Sequence, residues 1–195
     1  MAYGTFKSVG EIAKKFNLKV IYGTSLTDQQ TLLVPKVLFS MVENNLKDKA
    51  NYISEYAICD ALIRPILGIV AMQSPLSIWS HVPYNIDEKK GLIGEPDYLI
   101  APVTQYGEMA KPALCVIEAK KADFDEGWAQ ALAEMVASSL LGTNKCYGIV
   151  STGEIWQFGK LENNVFMSDS KSISATRELQ YVFNTLNWLF NEILE

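Results

Sequence analysis

The stretch Ala113-Leu-Cys-Val-Ile-Glu118-Ala119, closed at once by Lys120-Lys121, constrains this chain more than any other. A continuous apolar run of this length, ended by charge, suits a central strand buried on both faces. Such a strand needs paired neighbours and covering layers, which the helix-like patterns on either side of it supply. It also poses a problem at Glu118, which follows four consecutive apolar residues. A carboxylate desolvated there requires a cation, a proton or a hydrogen-bond partner.

The surrounding pattern reads as alternating helices and strands. Ser8-Val-Gly-Glu11 is a capping box opening a short helix, and Leu18–Tyr22 alternates like a brief strand. Pro35 opens a helix to about Leu46, since its missing N–H costs nothing in the first turn. The segment from Asn51 to about Val70 carries apolar positions at Tyr52, Tyr56, Cys59, Leu62, Ile63 and Ile66 with the 3.6 period of a longer helix. Pro65 is a bend or break within it. Strands are expected over Leu76–Ile86, Gly94–Val103 and Ala113–Ala119, then a helix over Asp125–Leu141. Short strands follow at Cys146–Ser151, Ile155–Phe158 and Val165–Met167, with Glu162-Asn163-Asn164 as a turn. A helix from about Ala175 to Leu194 aligns Leu179, Val182, Phe183, Leu186, Leu189, Phe190 and Ile193 in one stripe, for core or interface.

Composition narrows the chemistry. With 49% hydrophobic residues, disorder is excluded. The most apolar segment, Ala57–Met72, is broken by Asp60 and Arg64 and is too short to span a bilayer. The first residues lack the apolar block of a signal peptide, so a cytoplasmic location is expected, with no membrane partner. Cys59, Cys115 and Cys146 form neither a disulfide framework nor a zinc spacing and read as buried thiols. The single histidine, His81, reads as a polar group on a half-buried strand, which argues against a histidine-based metal site. The net charge of −5, with only two arginines among 17 basic residues, counts against strong nucleic-acid binding without excluding a local basic groove.

Alternation along a strand sends residues i and i+2 to one face, so Glu118 and Lys120 project together while Ala119 turns away with its carbonyl free. Asp97, in the strand-like segment Pro96-Asp97-Tyr-Leu-Ile, would complete a cluster of two acids and one amine. Hard cations such as Mg²⁺ take one or two protein carboxylates and keep positions for water and phosphate. A lysine beside them suits holding the attacking water or stabilising charge on the phosphate. The plain alternative is a structural Glu-x-Lys salt bridge at a strand end.

Pro96-Asp97, followed about 20 residues later by Glu118-Ala119-Lys120, resembles the core of PD-(D/E)XK nucleases. Ser54-Glu55, followed by Leu62-Ile63-Arg64-Pro65-Ile66-Leu67, resembles the first-helix motif in the nuclease domain of type I restriction motor subunits. Trp128-Ala-Gln130-Ala-Leu-Ala-Glu134 resembles the glutamine-bearing motif of related nucleases. That motif has tyrosine where this chain has Glu134, so only Gln130 carries over. Tyr147–Phe158 is similar to the late strand pair of those domains, and the whole also resembles small stand-alone proteins of cyanobacterial type.

The resemblance covers roughly Tyr52–Phe158. It implies an α/β, restriction-endonuclease-like core: a central mixed sheet flanked by helices, with an N-terminal helical and strand extension and a long C-terminal helix. The expected organisation is a single domain over 1–195, with the extension at 1–50, the core at 51–160 and a C-terminal strand and helix at 161–195. The function implied is Mg²⁺- or Mn²⁺-dependent hydrolysis of nucleic acid, DNA above RNA. Asp97, Glu118 and the Ala119 backbone carbonyl would hold metal, with Glu55 as a further carboxylate for a second metal or a water. Lys120 would orient water and Gln130 would position Lys120 or the phosphate. The alternative is a catalytically silent module of the same fold that binds nucleic acid or protein. A second copy of the chain, docked through the C-terminal helix, is a further candidate partner.

Overall fold

The computed structural model describes residues 2–194. Its regular elements are α1 (Val9–Phe16), β1 (Lys19–Thr24), α2 (Lys36–Lys47), α3 (Glu55–Ile58), α4 (Arg64–Ala71), β2 (Leu76–Ser80), β3 (Tyr98–Pro102), β4 (Cys115–Ala119), α5 (Phe124–Leu140), β5 (Lys145–Ser151), β6 (Ile155–Glu162), β7 (Val165–Ser174) and α6 (Ala175–Glu192). One mixed sheet holds the seven strands in the order β1-β7-β6-β5-β4-β3-β2. β4 is parallel to β5 and β1 to β7, while the other neighbours are antiparallel. The fold is thus α/β, a mixed sheet flanked by helices with a long helix near its C-terminal end.

The centre of the sheet follows from the sequence. Every residue of β4 is buried, and α5 supplies the long crossover that parallel β4 and β5 require. One face of the sheet packs Leu62, Ile66 and Leu67 against Val182, Phe183, Leu186 and Phe190, from either side of Ile117, Ile149 and Trp156. The other packs Trp128, Leu132, Met135 and Val136 of α5 over Leu99, Val116 and Val150, with Ile12 of α1 and the N-terminal Tyr3 and Phe6 closing the layer. Half of the capping box forms: Ser8 Oγ accepts the Glu11 amide at 3.2 Å, while the Glu11 carboxylate reaches one residue past the cap to accept the Lys7 amide at 3.0 Å.

Four expectations are corrected by the folded chain. The helix expected over Asn51–Val70 is segmented: a 3-10 turn (Lys49–Tyr52), α3, a π-helical turn (Cys59–Ile63) and α4. Pro65 accounts for the π-helical turn, since it has no N–H to give the Ala61 carbonyl one turn back. Asn45 Nδ2 fills that gap, donating to the Ala61 carbonyl at 2.9 Å. The strand expected over Leu76–Ile86 stops at Ser80, because His81 adopts a left-handed backbone with φ of 48°. Gly94–Val103 contracts to β3.

The last two strands are longer than their apolar patterns suggested. Asn163 and Asn164, both at positive φ, turn the chain tightly and let the ladder run from Glu162↔Val165 back to Ile155↔Ser174. Residues 1–50 are built into the layers: β1 pairs with β7, and α2 packs on α6. The apolar stripe of α6 is buried within the chain, so it is core and offers no face to a second copy. None of the described helices is long and apolar enough to cross a membrane.

Candidate metal centre

The antiparallel ladder between β3 and β4 ends at Tyr98↔Ile117. One step further sets Asp97 directly opposite Glu118, where facing side chains lie about 5 Å apart at Cβ. Both belong to the face covered by α5, since Leu99 and Val116, two residues away on each strand, pack there. Two like charges facing each other oppose folding unless something compensates. The compensation here is local and incomplete.

Pro96 explains much of the geometry. The next ladder pair would set Ala119 against Pro96, which has no amide hydrogen to give the Ala119 carbonyl. Ala119 instead donates its own N–H to Asp97 Oδ2 at 2.8 Å. The Asp97 amide in turn reaches Glu118 Oε1 at 3.4 Å. The proline thus ends the ladder, draws the Asp97 carboxylate to the end of β4, and leaves the Ala119 carbonyl without a donor from β3.

Lys120 lies just past β4, its amide bonded to the Ser151 carbonyl at 2.9 Å. Its ammonium is 3.5 Å from Glu118 Oε2 and 4.0 Å from Glu55 Oε2. The stem is pressed under the first turns of α5. A Cβ on Gly127 would sit 2.9 Å from Lys120 Cγ and 2.5 Å from Val150 Cγ1, so only glycine lets the helix lie this close. Asp123 opens α5 by accepting the Glu126 amide at 2.9 Å, as a helix-start acid should.

Glu118 is 2% exposed, and burial, then the Asp97 charge, push its carboxyl up to about 7. Asp97 is also held above its ordinary value, mainly by burial. For Lys120, burial acts to depress the amine, but Glu118, Glu55 and Asp97 outweigh it and hold it above its usual value. The amine is therefore a cation at neutral pH.

Asp97, Glu118 and Lys120 converge as their strand positions implied. Glu55 is the first residue of α3 and stands at the mouth, its side chain 49% exposed instead of turned inward. Gln130 sits on α5 with its carboxamide beside Gly4 of the N-terminal turn.

The residue that sequence reasoning missed is Glu134, one turn beyond Gln130. It is 1% exposed and held well above the ordinary carboxyl range by burial and by the charge of Glu118 beside it. Its Oε2 is one of the buried polar atoms without a partner among the described residues. A carboxyl so placed keeps its proton, so Glu134 is the neutral neighbour of Glu118. A signal was present: Glu134 is a lone acid within Ala131–Ala137, an otherwise apolar run, the same cue that singled out Glu118.

His81 was expected on a strand and stands instead at the end of β2, its Nδ1 3.8 Å from Asp97 Oδ1 and its amide on the Asp97 carbonyl at 3.2 Å. On the same sheet face as α5, a cavity of about 450 Å³ opens between α1, the start of α5 and β6–β7, lined by Lys7, Tyr22, Trp128 and Gln157 among others. It includes none of the facing acids.

No protein-family model matches the chain and no curated protein shows significant similarity to it, so the geometry of these side chains alone carries the chemistry.

Proposed function

We propose that this chain is a divalent-metal-dependent hydrolase of phosphodiester bonds in nucleic acid, with DNA favoured over RNA. The observation that carries the reading is the facing pair Asp97 and Glu118 at a strand end, with the Lys120 ammonium 3.5 Å from Glu118. The donor set fits Mg²⁺ or Mn²⁺: two carboxylates and a carbonyl are hard oxygen ligands, and the raised Glu118 carboxyl marks a penalty that a cation would lift. Asp97, Glu118 and the Ala119 carbonyl would hold the ion, which when bound neutralises phosphate oxygens and activates water.

The chain's own groups divide the remaining work. Lys120, charged and nearly buried, donates hydrogen bonds; it orients the attacking water or steadies negative charge on the phosphate, and it is no proton acceptor. Glu55, half in solvent and 4.0 Å from Lys120, is suited to hold a water at the mouth. Glu134 stands beside Glu118 as a buried neutral carboxyl. Under this reading, Mg²⁺- or Mn²⁺-dependent cleavage of plasmid or single-stranded DNA falls at least about a hundredfold in Glu118→Gln and in Lys120→Met, with melting curves showing both variants folded. Cleavage surviving both substitutions removes the mechanism.

A second reading is a module of this fold that binds nucleic acid or protein without cutting, and its protein-binding form is favoured by the exposed acids Glu55, Asp60 and Glu95 in the segments around the site. Phosphate backbones are repelled by such a rim. Calorimetric uptake of Mg²⁺ that depends on Asp97, without cleavage of any nucleic acid offered, selects this reading.

A further inference from the structure

Cys59, His81 and Asp97 arrive from three separate elements, the π-helical turn, the end of β2 and the residue before β3. One ligand atom from each lies within 4.8 Å of the other two. We propose that these three side chains form a binding site for a borderline transition-metal ion of the Zn²⁺ class, distinct in ligand chemistry from the oxygen-lined site at Glu118.

The backbone around the cluster is shaped by features that neither the sheet nor the facing acids require. His81 takes φ of 48°, a left-handed conformation uncommon outside glycine, at the point where the β2–β3 register sets it opposite Asp97, and its Nδ1 stands 3.8 Å from Asp97 Oδ1. Cys59 begins the π-helical turn, an irregularity often found at functional positions. The imidazole is flanked by Tyr56 and Tyr98, with ring centroids 5.9 and 6.1 Å away. Asp97 spends Oδ2 on the Ala119 amide and keeps Oδ1 on the histidine side.

The donor types select the ion. One sulfur, one imidazole nitrogen and one carboxylate oxygen match Zn²⁺ or Co²⁺ and not Mg²⁺. Bond lengths of about 2.0–2.3 Å in a tetrahedral site set donors roughly 3.2–3.6 Å apart. His81 Nδ1 and Asp97 Oδ1 are already at 3.8 Å. Three protein ligands leave a fourth position open to water or substrate on the half-exposed histidine side. An ion of this class takes the cysteine as thiolate, its proton passing to solvent on binding.

The test is a Co²⁺ titration of the full chain, read by the near-ultraviolet absorption of a thiolate-to-cobalt bond, with Zn²⁺ as competitor. The wild type is expected to develop the band at one ion per chain and lose it on adding Zn²⁺. Cys59→Ala should abolish the band. His81→Asn, which keeps a residue at ease in the left-handed backbone, should weaken binding at least about tenfold. Glu118→Gln should leave it intact, so this result is separable from the fate of the nuclease reading. Absence of the band in the wild type, its survival in Cys59→Ala, unchanged affinity in His81→Asn or loss in Glu118→Gln overturns the proposal.

Discussion

The two faces of the sheet are filled by different physics. Beneath α4 and α6 the core is hydrocarbon and aromatic rings, from Leu62 and Ile66 across to Phe183 and Phe190. Beneath α5 the chain buries Glu118, Lys120 and Glu134 beside an equally apolar layer. The first face contributes stability in proportion to the area it removes from water. The second gives some of it back, since desolvated charges that are only partly paired cost free energy. Such a concession at a strand end, where helices from both faces begin, marks the place where the fold serves something other than its own stability.

The largest expected effect belongs to the apolar face. Phe183→Ala removes a fully buried ring and should cost about 3–5 kcal/mol in denaturant unfolding. Calorimetric affinity for Mg²⁺ should not change. A matching loss of metal affinity would break the division between the faces.

On the α5 face the lever is pH. Glu118, at about 7 in the folded chain, and Glu134 hold protons that the unfolded chain releases near 4.5. The folded state is therefore favoured below the unfolded value. Its stability should fall by a few kcal/mol as pH rises from about 4.5 to beyond 7, by linkage. Millimolar Mg²⁺ should restore part of that loss, and Glu134→Gln should flatten the profile. Unfolding curves that keep one midpoint across this range, in the absence of metal, contradict the account.

The smallest effect sharpens the boundary between the two. Gly127→Ala forces a methyl against Lys120 Cγ and Val150 and should cost about 1–3 kcal/mol. It should also lower Mg²⁺-dependent cleavage by displacing Lys120 or the first turns of α5. Stability lost without any change in cleavage would show that Lys120 is not held by its packing.

Much of the site was legible because it lies on contiguous segments with strong patterns. A charged end to a five-residue buried strand announces Glu118 and Lys120, and Pro96-Asp97 announces an interrupted neighbour. What escaped depended on packing. Glu55 was read as inward from helical phase, but the π-helical turn and the short α3 leave it at the rim. Gln130 was carried over from a resemblance, whereas the close seating of α5 directs Glu134, one turn later, to Glu118. The stripe on α6 fitted core and dimer face equally, and only the presence of α4 and α2 against it decides for core.

By itself the sequence determined the order of helices and strands, the buried central strand, and the facing of Glu118 with Lys120. These follow from local periodicity and from the cost of leaving apolar groups in water or charges out of it. Only the tertiary structure decided that β1 lies beside β7, that Glu134 is buried beside Glu118, and that Cys59 and His81 meet at Asp97. Strand neighbours and convergent side chains are set by contacts between residues far apart in the chain, and no local pattern encodes which of the compatible partners will be met.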